Sequence, residues 1–254
     1  MTKSATKGYF NKPMKVNVIM PMLGGGTRMQ GCQPTCKPLM RLPDGERFFI
    51  RALESLSQYQ IEDLVLVVLP DYFYEFCDIL EHVKEISKAK RIRVMQHEPT
   101  RTPVETFRIG FERLNMTAEH RNLPLFCLDC DIYGLIPPFL NTNLECGRMF
   151  WFPSENPNKC YIETLPHNSS VVCRVAEKKV ISDKGVIGAY LFEDIPYLRQ
   201  LIQYGGTDLP GRFDYISDIF AYMLKDGQVV GASPADSVTN YGTLEELNSL
   251  YDNQ

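Results

Sequence analysis

Met20-Pro21-Met22-Leu23-Gly24-Gly25-Gly26-Thr27-Arg28, continued through Lys37-Pro38-Leu39, is the stretch on which the fold turns. Before it runs Val16 to Met20 (VNVIM), an apolar run interrupted only by Asn17, of the kind required of a strand buried on both faces. Glycines directly after such a strand let the backbone approach a ligand closely and turn N–H groups toward an anion. In an open α/β sheet, ligands bind at the carboxyl ends of the strands. A plain strand-to-helix turn has the same glycine content, so the glycines alone leave both readings open. Residue identities exclude two common motifs. A dinucleotide fingerprint starting at Gly24 would need glycine at Met29, and a P-loop starting at Gly26 would need Lys-Ser/Thr where Cys32-Gln33 stand.

Outward from this stretch, strand and helix patterns alternate. Leu64 to Leu69 (LVLVVL), Ile92 to Met95 and Leu125 to Leu128 read as further buried strands. Phe49, Leu53 and Leu56 form one helical stripe. Phe73, Phe76, Cys77, Leu80 and Val83 form a second, and Val104, Phe107, Phe111 and Leu114 a third. This alternation predicts right-handed βαβ crossovers. The predicted architecture is α/β: a single Rossmann-like domain with a mixed, mostly parallel sheet flanked by helices. After Asp131 prolines punctuate short strands such as Met149 to Phe152 and Ser170 to Arg174, which reads as a small antiparallel insertion over residues 133–186. Gly188 to Phe192 returns to the core pattern. Helices around Ile195 to Ile202 and Tyr215 to Leu224, a strand Gln228 to Ala232, and a helix capped at Thr243 complete the chain. Residues 1–14 read as a flexible arm and 15–254 as the domain.

The chain has 254 residues and a net charge of −4, enough length for a full core and no general basic surface for nucleic acid. Its apolar runs are too short to span a bilayer, and the N-terminus lacks the apolar run of a signal peptide. A cytoplasmic protein with reduced, mostly buried thiols is expected. Cys127-x-x-Cys130 has zinc spacing, but no second pair follows.

The stretch Gly24-Gly25-Gly26-Thr27-Arg28 followed by Lys37-Pro38-Leu39 resembles the signature of the sugar-phosphate nucleotidyltransferases, the nucleoside-diphosphate-sugar pyrophosphorylases. Cys36 stands where that family has a proline before the lysine. The resemblance covers roughly residues 15 to 252 and implies a GT-A-like nucleotidyltransferase domain. It implies that Arg28, Lys37 and Asp131 are catalytic, with Asp131 on Mg²⁺ at the end of a strand and Cys130 in place of the family's glycine. Asp129, two residues back, is a further candidate ligand. The family's closing motif matches Gly242-Thr243-Leu244-Glu245-Glu246-Leu247, but the second metal-ligand position holds Asn240, with Asp236 as the alternative. Nucleotide-binding residues implied are Leu23, Gly24, Gly25, Gly26, Thr27, Gln96 and Thr102, the last where the family has glycine. Glu177, Lys178 and Gly188 are implied on the acceptor side, Gly188 beneath the sugar ring. Asp214-Tyr215 is similar to the family's Glu-Tyr.

The implied reaction moves a nucleoside monophosphate from a triphosphate to a sugar 1-phosphate or similar phosphorylated metabolite, releasing pyrophosphate. The partners implied are these small molecules and Mg²⁺, with no nucleic acid and no membrane; monomer and homodimer stay open. Two alternatives accompany this reading. One is a GT-A-type glycosyltransferase using Asp129-x-Asp131. The other is an inactive nucleotide-binding paralogue, suggested by Cys36, Cys130, Thr102 and Asn240.

Overall fold

The computed structural model describes residues 13–24, 26, 29, 36–114, 123–138, 145–204 and 213–252. Most of the expected arm, and Gly25, Thr27 and Arg28, lie outside them. The elements in chain order are β1 (Lys15–Met22), α1 (Phe48–Glu54), β2 (Gln60–Val68), α2 (Phe73–Asp78), α3 (Leu80–Ser87), β3 (Arg91–Gln96) and α4 (Pro103–Arg113). There follow β4 (Leu125–Leu128), β5 (Ile132–Leu135), β6 (Gly147–Pro153), β7 (Cys160–Leu165), β8 (Asn168–Glu177) and β9 (Lys184–Phe192). The chain closes with α5 (Ile195–Tyr204), α6 (Ile216–Lys225), β10 (Val230–Pro234), β11 (Asp236–Asn240) and α7 (Leu244–Asp252).

A nine-stranded sheet runs β3-β2-β1-β4-β9-β6-β10-β8-β7, and β5 and β11 form a separate two-stranded ribbon. The fold is mixed α/β, but the expectation of a mostly parallel sheet needs correction. β3, β2, β1 and β4 are parallel, as is the β6–β10 pair. β9 is antiparallel to both β4 and β6, and β7, β8 and β10 add further antiparallel pairs. The cause is connection length. A parallel crossover needs a dozen or more residues, whereas β7 turns into its neighbour β8 through residues 166–167 alone, which makes that pair antiparallel.

The apolar runs become central strands because both sheet faces are covered. Val16, Val18 and Met20 pack with Phe49, Leu53 and Val83 beneath α1 and α3. Ile19, Val65 and Val67 pack with Phe107, Phe111, Leu198 and Phe220 beneath α4, α5 and α6. Alternate residues of β1 therefore feed opposite cores, as the two-residue period of a strand demands. A third cluster, with Met29, Phe48, Tyr241 and Leu247, fastens α7 to the body. The stripe from Phe73 to Val83 forms two helices instead of one, because Ile79 leaves helical geometry at φ −109°, ψ 10°. The described cysteines are free thiols; Cys36, Cys127, Cys146 and Cys160 are buried and Cys173 is exposed. Among the described residues, no helix is long and apolar enough to cross a membrane.

Candidate active site

β1 and β4 are parallel neighbours, with Val18 beside Phe126 and Ile19 beside Cys127. Their carboxyl ends therefore emerge side by side and deliver the glycine segment and the two aspartates to one cleft of about 820 Å³. Gly24 and Gly26 line it, Gly26 with a left-handed φ of +60°. Leu23 instead turns inward and is buried in the core beside Ile19.

Lys37 opens a single 3₁₀ turn, Lys37–Leu39, which Pro38 favours at its start. Its side chain is buried, and Nζ donates to Asp131 Oδ2 at 2.5 Å and to the Gly242 carbonyl at 2.8 Å. Three segments far apart in the chain thus meet at one ammonium group. A Cβ on Gly242 would come within 2.8 Å of Asp131 Oδ2, so glycine there leaves room for the carboxylate. Burial pushes the neighbouring Cys36 thiol up to about 12, and it stays protonated.

Asp129 follows the last residue of β4. Its N–H donates to the Gly188 carbonyl at 2.9 Å. Gly188 lies in β9 at φ +71°, and a Cβ there would coincide with the Asp129 carboxylate. Gly188 lines the cleft, and glycine there leaves room for the Asp129 carboxylate. Asp129 and Asp131 both line the cleft and are the groups best placed to hold a hard cation. Among the described residues no set of three His, Cys, Asp or Glu side chains gathers into a metal cage.

The opposite wall comes from β8, β7 and α6. Glu177 accepts a 2.6 Å hydrogen bond from Ser217 Oγ, and burial raises its carboxyl above the ordinary range. Lys178, at φ 52°, reaches the Tyr215 hydroxyl at 2.5 Å and lies 4.5 Å from that ring's centre. Tyr215 is held at the start of α6 by Asp218, which accepts from the Tyr215 N–H at 2.8 Å and the Asp214 N–H at 3.0 Å. At the rim, Thr243 and Glu246 cap α7 reciprocally: Glu246 accepts from the Thr243 N–H at 3.1 Å and Thr243 Oγ1 from the Glu246 N–H at 3.2 Å.

Other expected residues lie elsewhere. Gln96 ends β3, is exposed, and borders a separate recess with His97 and Arg113. Thr102 caps α4, its hydroxyl accepting from the Glu105 N–H at 3.2 Å, so that oxygen is engaged in holding the helix. Asp236 begins β11, exposed and opposite Leu135, whereas Asn240 ends β11 opposite Ile132, one residue from Asp131. Of the two, Asn240 therefore stands near the aspartates. Lys159, which no motif singles out, lines the cleft and donates to Asn240 Oδ1 at 2.8 Å. Its only signal in the sequence is a polar loop, Asn156-Pro157-Asn158-Lys159, before an apolar segment.

No family model matches the chain, and no curated protein matches it. Solved structures do. The nucleoside-diphosphate-sugar pyrophosphorylase from Vibrio cholerae RC9 superposes with a TM-score of 0.75 at 18% identity, covering 92% of this chain and 99% of that one. The chain shares its fold. The inositol-1-phosphate CTP transferase from T. maritima gives 0.71 at 15% identity, with 94% of each chain covered. A UDP-glucose pyrophosphorylase complexed with UDP-glucose gives 0.68 at 14% identity, covering 96% of this chain and all of that one (100%).

Proposed function

We propose that this chain is a nucleotidyltransferase of GT-A-like fold. It transfers a nucleoside monophosphate from a nucleoside triphosphate to a sugar 1-phosphate or a comparable phosphorylated metabolite, releasing pyrophosphate. The observation that carries this reading is the meeting of Gly24 and Gly26, the Lys37–Asp131 pair and Lys178 around one cleft at the strand ends. The three similar structures are named for reactions of this class, which supports the same reading.

The attacking phosphate oxygen is already an anion, so the reaction needs no general base. Its barrier is the approach of one anion to another, and the protein lowers it by positioning and charge neutralisation. Lys37 stands at the base of the cleft with its ammonium group fixed by Asp131 and Gly242, preorganised to meet the α-phosphate and the incoming phosphate. The glycine segment offers backbone N–H groups to the triphosphate. Arg28, outside the described residues, would clamp the same group. Lys178, braced on Tyr215, holds the acceptor phosphate, and Glu177 beside it accepts from acceptor hydroxyls.

Asp131 and Asp129 suit Mg²⁺, an ion that takes one or two carboxylates and fills its shell with substrate phosphates and water. The ion, once bound, would supply charge neutralisation at the α-phosphate.

Thermal midpoints measured with ATP, CTP, GTP, UTP and dTTP, each with and without Mg²⁺, test the reading without assuming an acceptor. One triphosphate should raise the midpoint, more so with Mg²⁺, because a ligand of the native state stabilises it by mass action. A flat response to all five, with a shift only for nucleoside-diphosphate sugars, would contradict it.

A further inference from the structure

We propose that Glu246 is a positioning residue for Lys37: its carboxylate clamps the turn at Gly242 and Thr243 so that the Gly242 carbonyl stays on the Lys37 ammonium. The inference rests on the reading of Lys37 as the group that meets the reacting phosphates.

The connection runs through one peptide group. The Gly242 carbonyl and the Thr243 N–H belong to the same planar trans peptide and therefore point in opposite directions. From one side, Lys37 Nζ donates to the carbonyl at 2.8 Å. From the other, the Thr243 N–H donates to Glu246 Oε2 at 3.1 Å. An anion, a peptide and a cation thus stand in a row. The carboxylate polarises the peptide and makes its carbonyl a better acceptor for the ammonium.

Helix capping accounts for only part of this arrangement. A capping box needs the exchange between Thr243 and Glu246, in which Thr243 Oγ1 also accepts from the Glu246 N–H at 3.2 Å. Glu246 Oε2 takes a second N–H, that of Gly242, at 3.0 Å. One carboxylate oxygen therefore holds both peptide planes that flank Gly242. Glycine has the widest backbone freedom of any residue, so this is the point of the turn that most needs fixing. The residue before it is anchored as well. The Tyr241 N–H donates to the Asp131 carbonyl at 3.2 Å, and its buried hydroxyl to the Phe48 carbonyl at 3.2 Å. The turn thus sits beside Asp131, whose carboxylate also holds Lys37. With Asp131 alone, Nζ could swing about a single contact. The clamped Gly242 carbonyl removes that freedom.

Pyrophosphate release at saturating triphosphate and acceptor is the readout. Turnover should fall about tenfold in Glu246→Ala, the equivalent of one charge-assisted hydrogen bond. Glu246→Gln keeps an acceptor oxygen for both N–H groups and should stay within about threefold of the wild type. Leu250, further along α7, packs on the cluster around Tyr241 and serves as the control for a weakened helix. Leu250→Ala should lower the thermal midpoint and leave turnover within about twofold of the wild type. In a Lys37→Met background, assayed at higher enzyme concentration, Glu246→Ala should cost no further turnover, because the ammonium it positions is gone. Circular dichroism establishes that each variant is folded. Should Glu246→Ala unfold, Glu246→Asp, too short to span both N–H groups, carries the same prediction. Undiminished turnover in folded Glu246→Ala, an equal loss in Leu250→Ala, or a further loss in the double variant would overturn the assignment. A wild type that releases no pyrophosphate overturns the transferase reading and this inference with it. Wild-type turnover that Glu246→Ala leaves intact overturns this inference alone.

Discussion

The Asp129 carboxylate occupies the space that a Cβ on Gly188 would need. The relationship ties the end of β4 to β9, because the Asp129 N–H also donates to the Gly188 carbonyl. Gly188→Ala would collide with Asp129 and strain a left-handed backbone at φ +71°. Folded protein should be destabilised by about 2 kcal/mol, and triphosphate turnover should fall with it. Urea unfolding and a pyrophosphate-release assay check both. An alanine variant of unchanged stability would show that the Asp129 side chain moves aside freely.

Lys37→Met removes the ammonium that joins Asp131 to Gly242. Turnover should drop by about 10² to 10³, the range for losing one preorganised electrostatic group. Stability should fall less than the several kcal/mol of a fully buried pair, because the Asp131 side chain keeps 20% exposure and can be hydrated. About 1 kcal/mol is expected after that discount. Comparing kcat with the denaturation midpoint separates the two effects.

Ser217→Ala removes the hydroxyl that donates to Glu177. Burial raises the Glu177 carboxyl, and the Ser217 bond opposes that rise. Without it the group should titrate at still higher pH. Activity that requires ionised Glu177 should then lose its acid limb earlier, with the limb displaced toward neutral pH and the alkaline side unchanged. A pH–rate profile of the two proteins measures the displacement.

Glu193 follows β9, and both its carboxyl oxygens are buried with no hydrogen-bond partner among the described residues. Burial raises its pKa to about 7, with the Glu145 charge adding to the rise and Arg148 opposing it. The native state therefore holds a proton that the unfolded chain releases nearer 4.5. Stability from this group is complete below about pH 4.5 and declines as pH rises through 7. Glu193→Gln should leave the melting temperature nearly unchanged at pH 4.5 and raise it at pH 8.

The elements that the sequence makes legible are those with one unambiguous physical signal. Leu64 to Leu69 is apolar on every residue, and Val16 to Met20 on every residue but Asn17, because helices cover both sheet faces, and both runs become central strands. Lys37, Asp131, Glu177 and Lys178 are charged residues within recognisable motifs, and the structure brings them to one cleft. The half that contains β5, β7 and β11 is harder to read. Its strands are short and partly exposed, so their alternation is weak, and their direction depends on turn lengths instead of residue type. Lys159 is invisible for the same reason, since it reaches the cleft from the turn before β7. Thr102 and Gln96 stand at motif positions whose local roles the motif does not reveal: the Thr102 hydroxyl caps α4, and Gln96 at the end of β3 borders a separate recess.

The most direct test of the account is pyrophosphate release by the wild-type protein and by Lys37→Met, with Mg²⁺, the triphosphate that most raises the thermal midpoint, and a panel of sugar 1-phosphates. Release by the wild type with at least one acceptor, dependent on that acceptor and lost in Lys37→Met, is the predicted result. Release that Lys37→Met leaves intact, or a nucleotide-binding wild type that releases no pyrophosphate with any acceptor, would contradict it.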